Sequence, residues 1–293
     1  MFMRTKAFSV LLLLLFLFGI AILAAELFFK PASPIVQGSN EIKAREHFDP
    51  SLSRIRSIKE FTEYCDSLYG HKQIAAGDSE QYAIAISRTL RDRFYHGYSY
   101  YSLGQNSLGR ILAPYLKPDL SAIVIPDDIL KHPMAACSQQ SIVGMEVFRK
   151  KGFDVRKVGF YSDKVGGHFC FEVFFNDKWH FFDPDLEPKL SIMTANHFPG
   201  IAEIVKNDSL LQSLYRNQDD KLLQTLFAKY RYGNINDFPA PRAIIYQYVT
   251  KVLSYTFWLI PLLTYIFIFI RRRANSKEKC AELQGSLVYA IRA

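Results

Sequence analysis

The sequence has no Cys-x-x-Cys pair and no His-Glu-x-x-His pattern, and His47, His71, His96, His132, His180 and His197 fall at no ligand-like spacing. Structural and catalytic zinc sites are built on such spacings. His168, Cys170 and Glu172 alternate along one face of an extended segment, but without those spacings no metal or other cofactor is expected. A phosphate-cradling glycine loop, an internal repeat and a low-complexity tract are missing too, which sets aside the common nucleotide-binding and solenoid architectures. A basic domain surface is also lacking, although the formal net charge is +8. Residues 1–6 contribute Arg4 and Lys6, residues 271–293 carry six basic against two acidic groups, and everything between nets only +2. Nucleic acid needs a basic face on the folded domain, so it is excluded as a partner. Cysteine is scarce, with Cys65, Cys137, Cys170 and Cys280 the whole inventory.

Charge is absent from two long apolar runs, 7–25 and 252–270, each of 19 residues. About 20 residues of helix cross a bilayer, so both are expected to be transmembrane helices. Arg4 and Lys6 precede the first, and Arg271, Arg272 and Arg273 follow the second. Positive flanks stay on the cytoplasmic side. Both termini, 1–6 and the basic tail 271–293, are therefore expected in the cytoplasm of a bacterial inner membrane, with the intervening chain outside it. A cleaved signal peptide is the rival for the first run. Its apolar length exceeds the usual ~7–15 residues, and Leu23-Ala24-Ala25 is a poor cleavage site, which favours an uncleaved anchor. The remaining boundaries are a linker at 26–40, a folded domain at 41–190 and a helical appendix at 191–242. Asn207-Asp208-Ser209 matches a glycosylation sequon that matters only on a eukaryotic secretory route.

Residues 134–185 carry the chemistry. Cys137 opens a run to Lys151, closed by Gly152, that reads as a helix with a glycine C-cap. The unpaired N–H groups and positive end of a helix favour an anion, here a thiolate. Beyond Gly152 the pattern turns extended: 153–161, then 168–175, with Asn176-Asp177 as a turn and 179–182 running back. A hairpin with an even loop on Asn176-Asp177 places His168 opposite Asp185 and Asp183 opposite Cys170, all on one face. Asp183 then lies diagonally from His168, at roughly 7–8 Å between backbones. A thiol, an imidazole and a carboxylate in that order form an acyl-transfer site: nucleophile, proton carrier, and the group that fixes the imidazole tautomer. N–H groups at the start of the Cys137 helix supply an oxyanion site, with Gln139 and Gln140 as candidate helpers.

The segments Ala135 to Gln140, Phe148 to Val158 and Gly167 to Pro184 resemble the transglutaminase-like superfamily of papain-type folds. Separations of 31 residues from Cys137 to His168 and 15 from His168 to Asp183 are similar to the short core of bacterial members. The resemblance implies an α+β fold, with a Cys-bearing helix packed on an antiparallel sheet. It also implies Cys137 as nucleophile, His168 as base and Asp183 as third member. Ala136 before the nucleophile and Phe169 after the histidine depart from the residues many members carry there.

Around this core, Ser57 with Glu60 forms a capping box opening a helix that closes at Gly70, with Phe61, Cys65 and Leu68 on one face. Asp78 opens a second helix, with Ile86, Leu90 and Phe94 as a buried stripe. Tyr98, Tyr100, Tyr101 and Trp179 are candidate linings of a peptide or glycan groove. Residues 121–125 read as a short strand or a buried loop. A Cys65–Cys170 disulfide is conceivable in an oxidising compartment and leaves Cys137 as the odd thiol.

The expected function is a membrane-anchored acyl-transfer enzyme acting on a peptide or protein, including components of the cell envelope. Hydrolysis needs only water and ranks above amine-transferring crosslinking. A catalytically silent module that binds a peptide or glycan on the same fold is the rival from another class. The NlpC-type cell-wall hydrolases share a Cys-His core and are the rival among enzymes.

Overall fold

The computed structural model describes residues 2–29, 47–69, 79–163, 166–215 and 218–292. Most of the expected linker at 26–40, the Gly70 cap and the Asp78 cap lie outside them. Contacts divide the chain into two units. One comprises the described parts of Met1–Pro31, Tyr101–Pro118 and Tyr248–Ala293, and the other those of Ala32–Tyr100 and Asp119–Gln247.

In chain order the elements are helices α1 (Phe2–Phe28), α2 (Ile58–Leu68), α3 (Ser79–Arg93), α4 (Ser107–Leu116), α5 (Pro126–Ile129) and α6 (Cys137–Lys150). Strands β1 (Asp154–Ser162), β2 (Gly166–Phe175) and β3 (Lys178–Phe182) follow. Four short helices come next: α7 (Leu190–Ala195), α8 (Ile201–Ile204), α9 (Asp208–Leu214) and α10 (Asp220–Phe227). Strand β4 (Tyr230–Ile235) and helices α11 (Pro241–Thr256) and α12 (Leu259–Arg292) complete the chain.

The larger unit is an α+β domain whose sheet runs β3-β2-β1-β4, antiparallel throughout. Its β2–β3 hairpin turns on Asn176 and Asp177, both left-handed at φ 47° and 59°. That pair of conformations defines the two-residue turn whose twist suits a hairpin, and Asn and Asp tolerate it best after glycine. The turn sets the register, Phe171 opposite Phe182 and Glu172 opposite Phe181, as expected for an even loop. One edge was not foreseen. The segment 191–242, expected to be helical, contributes β4, which pairs with β1. Tyr230 and Tyr232 stand on either side of Arg231, and aromatic rings suit a pleated surface better than a helix.

Helix α6 packs on β1 and β2, with α2, α3 and α5 against it. Gly144 permits this approach: a Cβ there would sit 2.7 Å from the Phe171 ring and 2.9 Å from Leu90. Beside it Phe148, Phe171, Phe182 and Phe198 form a ladder of ring contacts. Gly152, at φ 83°, ends α6 with Phe153 N–H donating to Phe148 O, a Schellman closure that only a glycine makes without strain. Ile86 and Leu90 on α3, and Phe94 just past its end, are buried, as their spacing predicts. Ser57 caps α2 through Glu60 N, while the Glu60 carboxylate reaches Arg56 N.

In the smaller unit α1 packs against α12 and α4. Ala7–Phe28 is long and apolar enough to cross a membrane. The second expected span, 252–270, is not one straight helix: α11 and α12 meet at a 57° bend. Pro261 stands in the first turn of α12, where its missing N–H cannot continue the ladder from α11. By length and composition the two together suit either one broken span or a re-entrant loop. Asn106, Glu26 and Ser254 cap the start of α4, accepting from Gly109 N, Ser107 N and Leu108 N respectively.

Candidate active site

Three elements of the larger unit converge at the start of α6. The segment before it is fixed by backbone exchange, with Tyr95 N–H donating to Pro133 O and Ala135 N–H to Tyr95 O. Arg93, 1% exposed, anchors the same segment by donating to the carbonyls of Ile55, Leu130 and His132. Burial pushes its pKa down to about 10, with Arg56 adding to the effect. Ser141 on α6 donates to Phe169 O on β2, tying helix to strand beside His168.

These constraints bring the three predicted residues together. His168 and Asp183 are 7% and 4% exposed, and Cys137 is half-buried. His168 Nε2 meets Asp183 Oδ2 at 2.9 Å. The Cys137 sulfur and a His168 ring nitrogen lie within 4.8 Å of each other. Burial disfavours the imidazolium, but the Asp183 carboxylate, the Cys170 group and the neighbouring Cys137 side chain outweigh it, and the His168 pKa stands well above 6.5. Burial likewise raises the Asp183 carboxyl. The charge of His168, its hydrogen bond and those from Leu186 N and Tyr215 reverse this and hold Asp183 below its usual value. Asp183 Oδ1 accepts from the N–H groups of Asp185 and Leu186, and Oδ2 from the Tyr215 hydroxyl. A carboxylate so held keeps its charge and its angle to the imidazole.

Ala136 precedes the helix without a side-chain acceptor. Gln139 and Gln140 N–H both bond to Ala136 O. Among the described residues, the N–H groups of Cys137 and Ser138 donate to no acceptor, as in any first helical turn, and stand beside the thiol. They suit an oxyanion. Gln139 is fully engaged instead: its oxygen accepts from Ser99 N and Ala136 N, and its nitrogen donates to Ser99 O and Ile123 O. It is a brace and has no group left for a substrate. Gln140 donates to Ala135 O and Asp185 Oδ1, and its own oxygen is buried without a donor.

The groove candidates separate. Tyr98 and Tyr100 flank the Ser99 that Gln139 holds, are 48% and 46% exposed, and stack on each other at 6.0 Å. Tyr101 is buried and belongs to the smaller unit. Trp179 sits at the turn end of β3, opposite Phe174, about 13 Å along the strand from Asp183 at ~3.3 Å per residue. The Arg156 guanidinium lies over its ring at 4.1 Å. The structure does not bring it to the thiol.

Cys65 and Cys170 are both free and buried, so the conceived disulfide is not formed. Cys65 faces Thr89 at 3.6 Å, and burial raises its pKa to about 12. Cys170 lies against His168 and Asp183, where burial first, and Asp183 second, push it well up. Glu172 accepts from Arg156 and from Ile201 N and is a structural ion pair. Two sets of three groups lie within 4.8 Å of one another, Cys137 with His168 and Asp185, and His168 with Cys170 and Asp183. Sequence reasoning missed Tyr215 and His96. Tyr215 lies in a stretch expected to be an appendix, and His96 meets Asp185 at 2.7 Å from 89 residues away.

No protein-family model matches the chain, and no curated protein matches it in sequence. One solved structure, a crystal structure of a TGase, is similar at a TM-score of 0.31 and 12% identity, over 46% of this chain and 31% of that one.

Proposed function

We propose that the larger unit is a cysteine-dependent acyl-transfer enzyme that hydrolyses amide or peptide bonds. One observation carries the reading: a single imidazole stands between an accessible thiol and a buried carboxylate that holds it at 2.9 Å. In the reaction Cys137 gives its proton to His168 and attacks the carbonyl carbon. Negative charge gathers on the carbonyl oxygen and is met by the N–H groups of Cys137 and Ser138. The imidazolium protonates the leaving amine as the C–N bond breaks. A water then gives a proton to His168 and attacks the thioester, releasing the acid and returning the thiol. Asp183 keeps the imidazole tautomer fixed and supports its charge in both halves.

We further propose that α1 anchors the enzyme in a bacterial cell membrane, with α11 and α12 as a second, bent span. Both termini are then cytoplasmic, and the active site faces peptides or proteins of the envelope. Apolar exposure on α1 supports the anchor, with Leu13, Leu14 and Leu17 more than half exposed. The full chain in detergent, incubated with an amide and peptide library, is expected to turn over and to accumulate a thioester detectable by intact mass. Activity that survives in Cys137→Ala would overturn the assignment.

A further inference from the structure

The chemistry above leaves one buried carboxylate without a task. Asp185 follows two residues after Asp183, and its carboxylate, the Cys137 sulfur and a His168 ring nitrogen lie within 4.8 Å of one another. Its side chain is 5% exposed. Oδ1 takes His96 Nδ1 at 2.7 Å and Gln140 Nε2 at 3.2 Å. Oδ2 has no donor among the described residues. The oxygen of the Gln140 amide is buried without a donor. Leaving that amide oxygen desolvated without a donor costs about 1–3 kcal/mol, so a ligand carrying N–H groups completes this corner. A carboxylate beside the nucleophile also opposes the thiolate by like charge, and a cation bound to it removes the opposition.

Asp185 and His96 form part of the wall of a cleft of ≈ 950 Å³. Arg88, Arg91 and Lys189 line it along with Asp92, Glu187 and Asp185, so the cleft is charge-balanced overall. Preference for a cation is local to the Asp185 corner.

Building on the acyl-transfer reading, we propose that Asp185, oriented by His96 and Gln140, binds a protonated amine carried next to the scissile carbonyl. The substrate class is then a peptide with a free amino group at the cleavage point, either an α-amine or the side chain of a diamino acid. Gln140 and Asp185 together offer acceptors to the three N–H donors of such an ammonium.

The test compares three thiol reagents on the full chain in detergent, reading modification of Cys137 by peptide mass spectrometry. The probes are the 2-aminoethyl, methyl and 2-sulfonatoethyl methanethiosulfonates, cationic, neutral and anionic, each normalised to its rate with the unfolded chain. In the wild type the cation is expected to react faster than the neutral reagent, and the neutral faster than the anion. One unit charge near 5 Å is worth about tenfold for each reagent, so the cation-to-anion ratio, which spans two charge units, should fall about a hundredfold in Asp185→Asn and recover in Asp185→Glu. A wild-type protein without charge preference overturns the proposal, whether or not the variants fold, and so does an unchanged ratio in a folded Asp185→Asn. If the neutral reagent modifies Cys137 no faster than in the unfolded chain, and His168→Ala changes nothing, the acyl-transfer reading itself fails. A fast, His168-dependent reaction without charge preference removes only the role of Asp185.

Discussion

Tyr215 donates its hydroxyl to Asp183 Oδ2 at 2.9 Å, the same oxygen that meets His168 Nε2 at 2.9 Å. The carboxylate therefore stands between the imidazole and a buried phenol, whose own pKa is pushed well up by burial first and by Asp183 second. The phenol stays protonated and can only donate. Tyr215→Phe keeps the ring packing on Phe227 and removes one hydrogen bond to a charged group, a loss of about 1.5–3 kcal/mol. A lower unfolding temperature together with slower Cys137 modification is expected. A fall in neither would mean that the hydroxyl does not hold the carboxylate.

The ion pair between His168 and Asp183 sets a pH window. The His168 pKa is raised above 6.5, so its contribution to stability is complete below about 6.5 and is lost as pH climbs through the raised value. Asp183 is lowered below 3.8, so its contribution is complete above about 3.8 and is lost as pH falls through the lowered value. The stability difference between wild type and Asp183→Asn should thus be widest from about pH 4 to 6.5 and shrink on the alkaline side. Thermal unfolding across pH checks it; a difference that widens in alkali would contradict the pair.

Gly144 is expected to tolerate no side chain. Its Cβ would fall 2.7 Å from the Phe171 ring and press α6 away from β2. Gly144→Ala gains helix propensity of just under about 1 kcal/mol but overpacks the core at a cost of about 1–3 kcal/mol. Net destabilisation in chemical unfolding, with weaker His168-dependent reactivity at Cys137, is the predicted outcome. An unaltered midpoint would show that the helix can shift freely.

Much of the site was legible because it is local. Alternation in β2 and β3 and the turn at Asn176-Asp177 fix the register, and the register puts Asp183 beside His168. Other parts were not. Helix α4 contains Gly109 and Pro114, which weaken its signal, and the aromatic stretch at 230–235 followed a helical pattern closely enough to be absorbed into it. The bend between α11 and α12 is invisible to hydropathy, because an apolar run looks the same whether or not a proline interrupts its hydrogen bonds. His96 and Tyr215 reach the site from 89 residues before Asp185 and 32 after Asp183. No spacing rule connects residues that meet only through packing.

The central claim is that His168 activates the Cys137 thiol, and alkylation of Cys137 by iodoacetamide tests it most directly. The rate is followed by mass from pH 4 to 10 on the native full chain, on the unfolded chain and on His168→Ala. The account predicts that native Cys137 alkylates at neutral pH at least about tenfold faster than in the unfolded chain, and that His168→Ala removes this reactivity. A native rate that follows the unfolded chain, or one unchanged in His168→Ala, would contradict it.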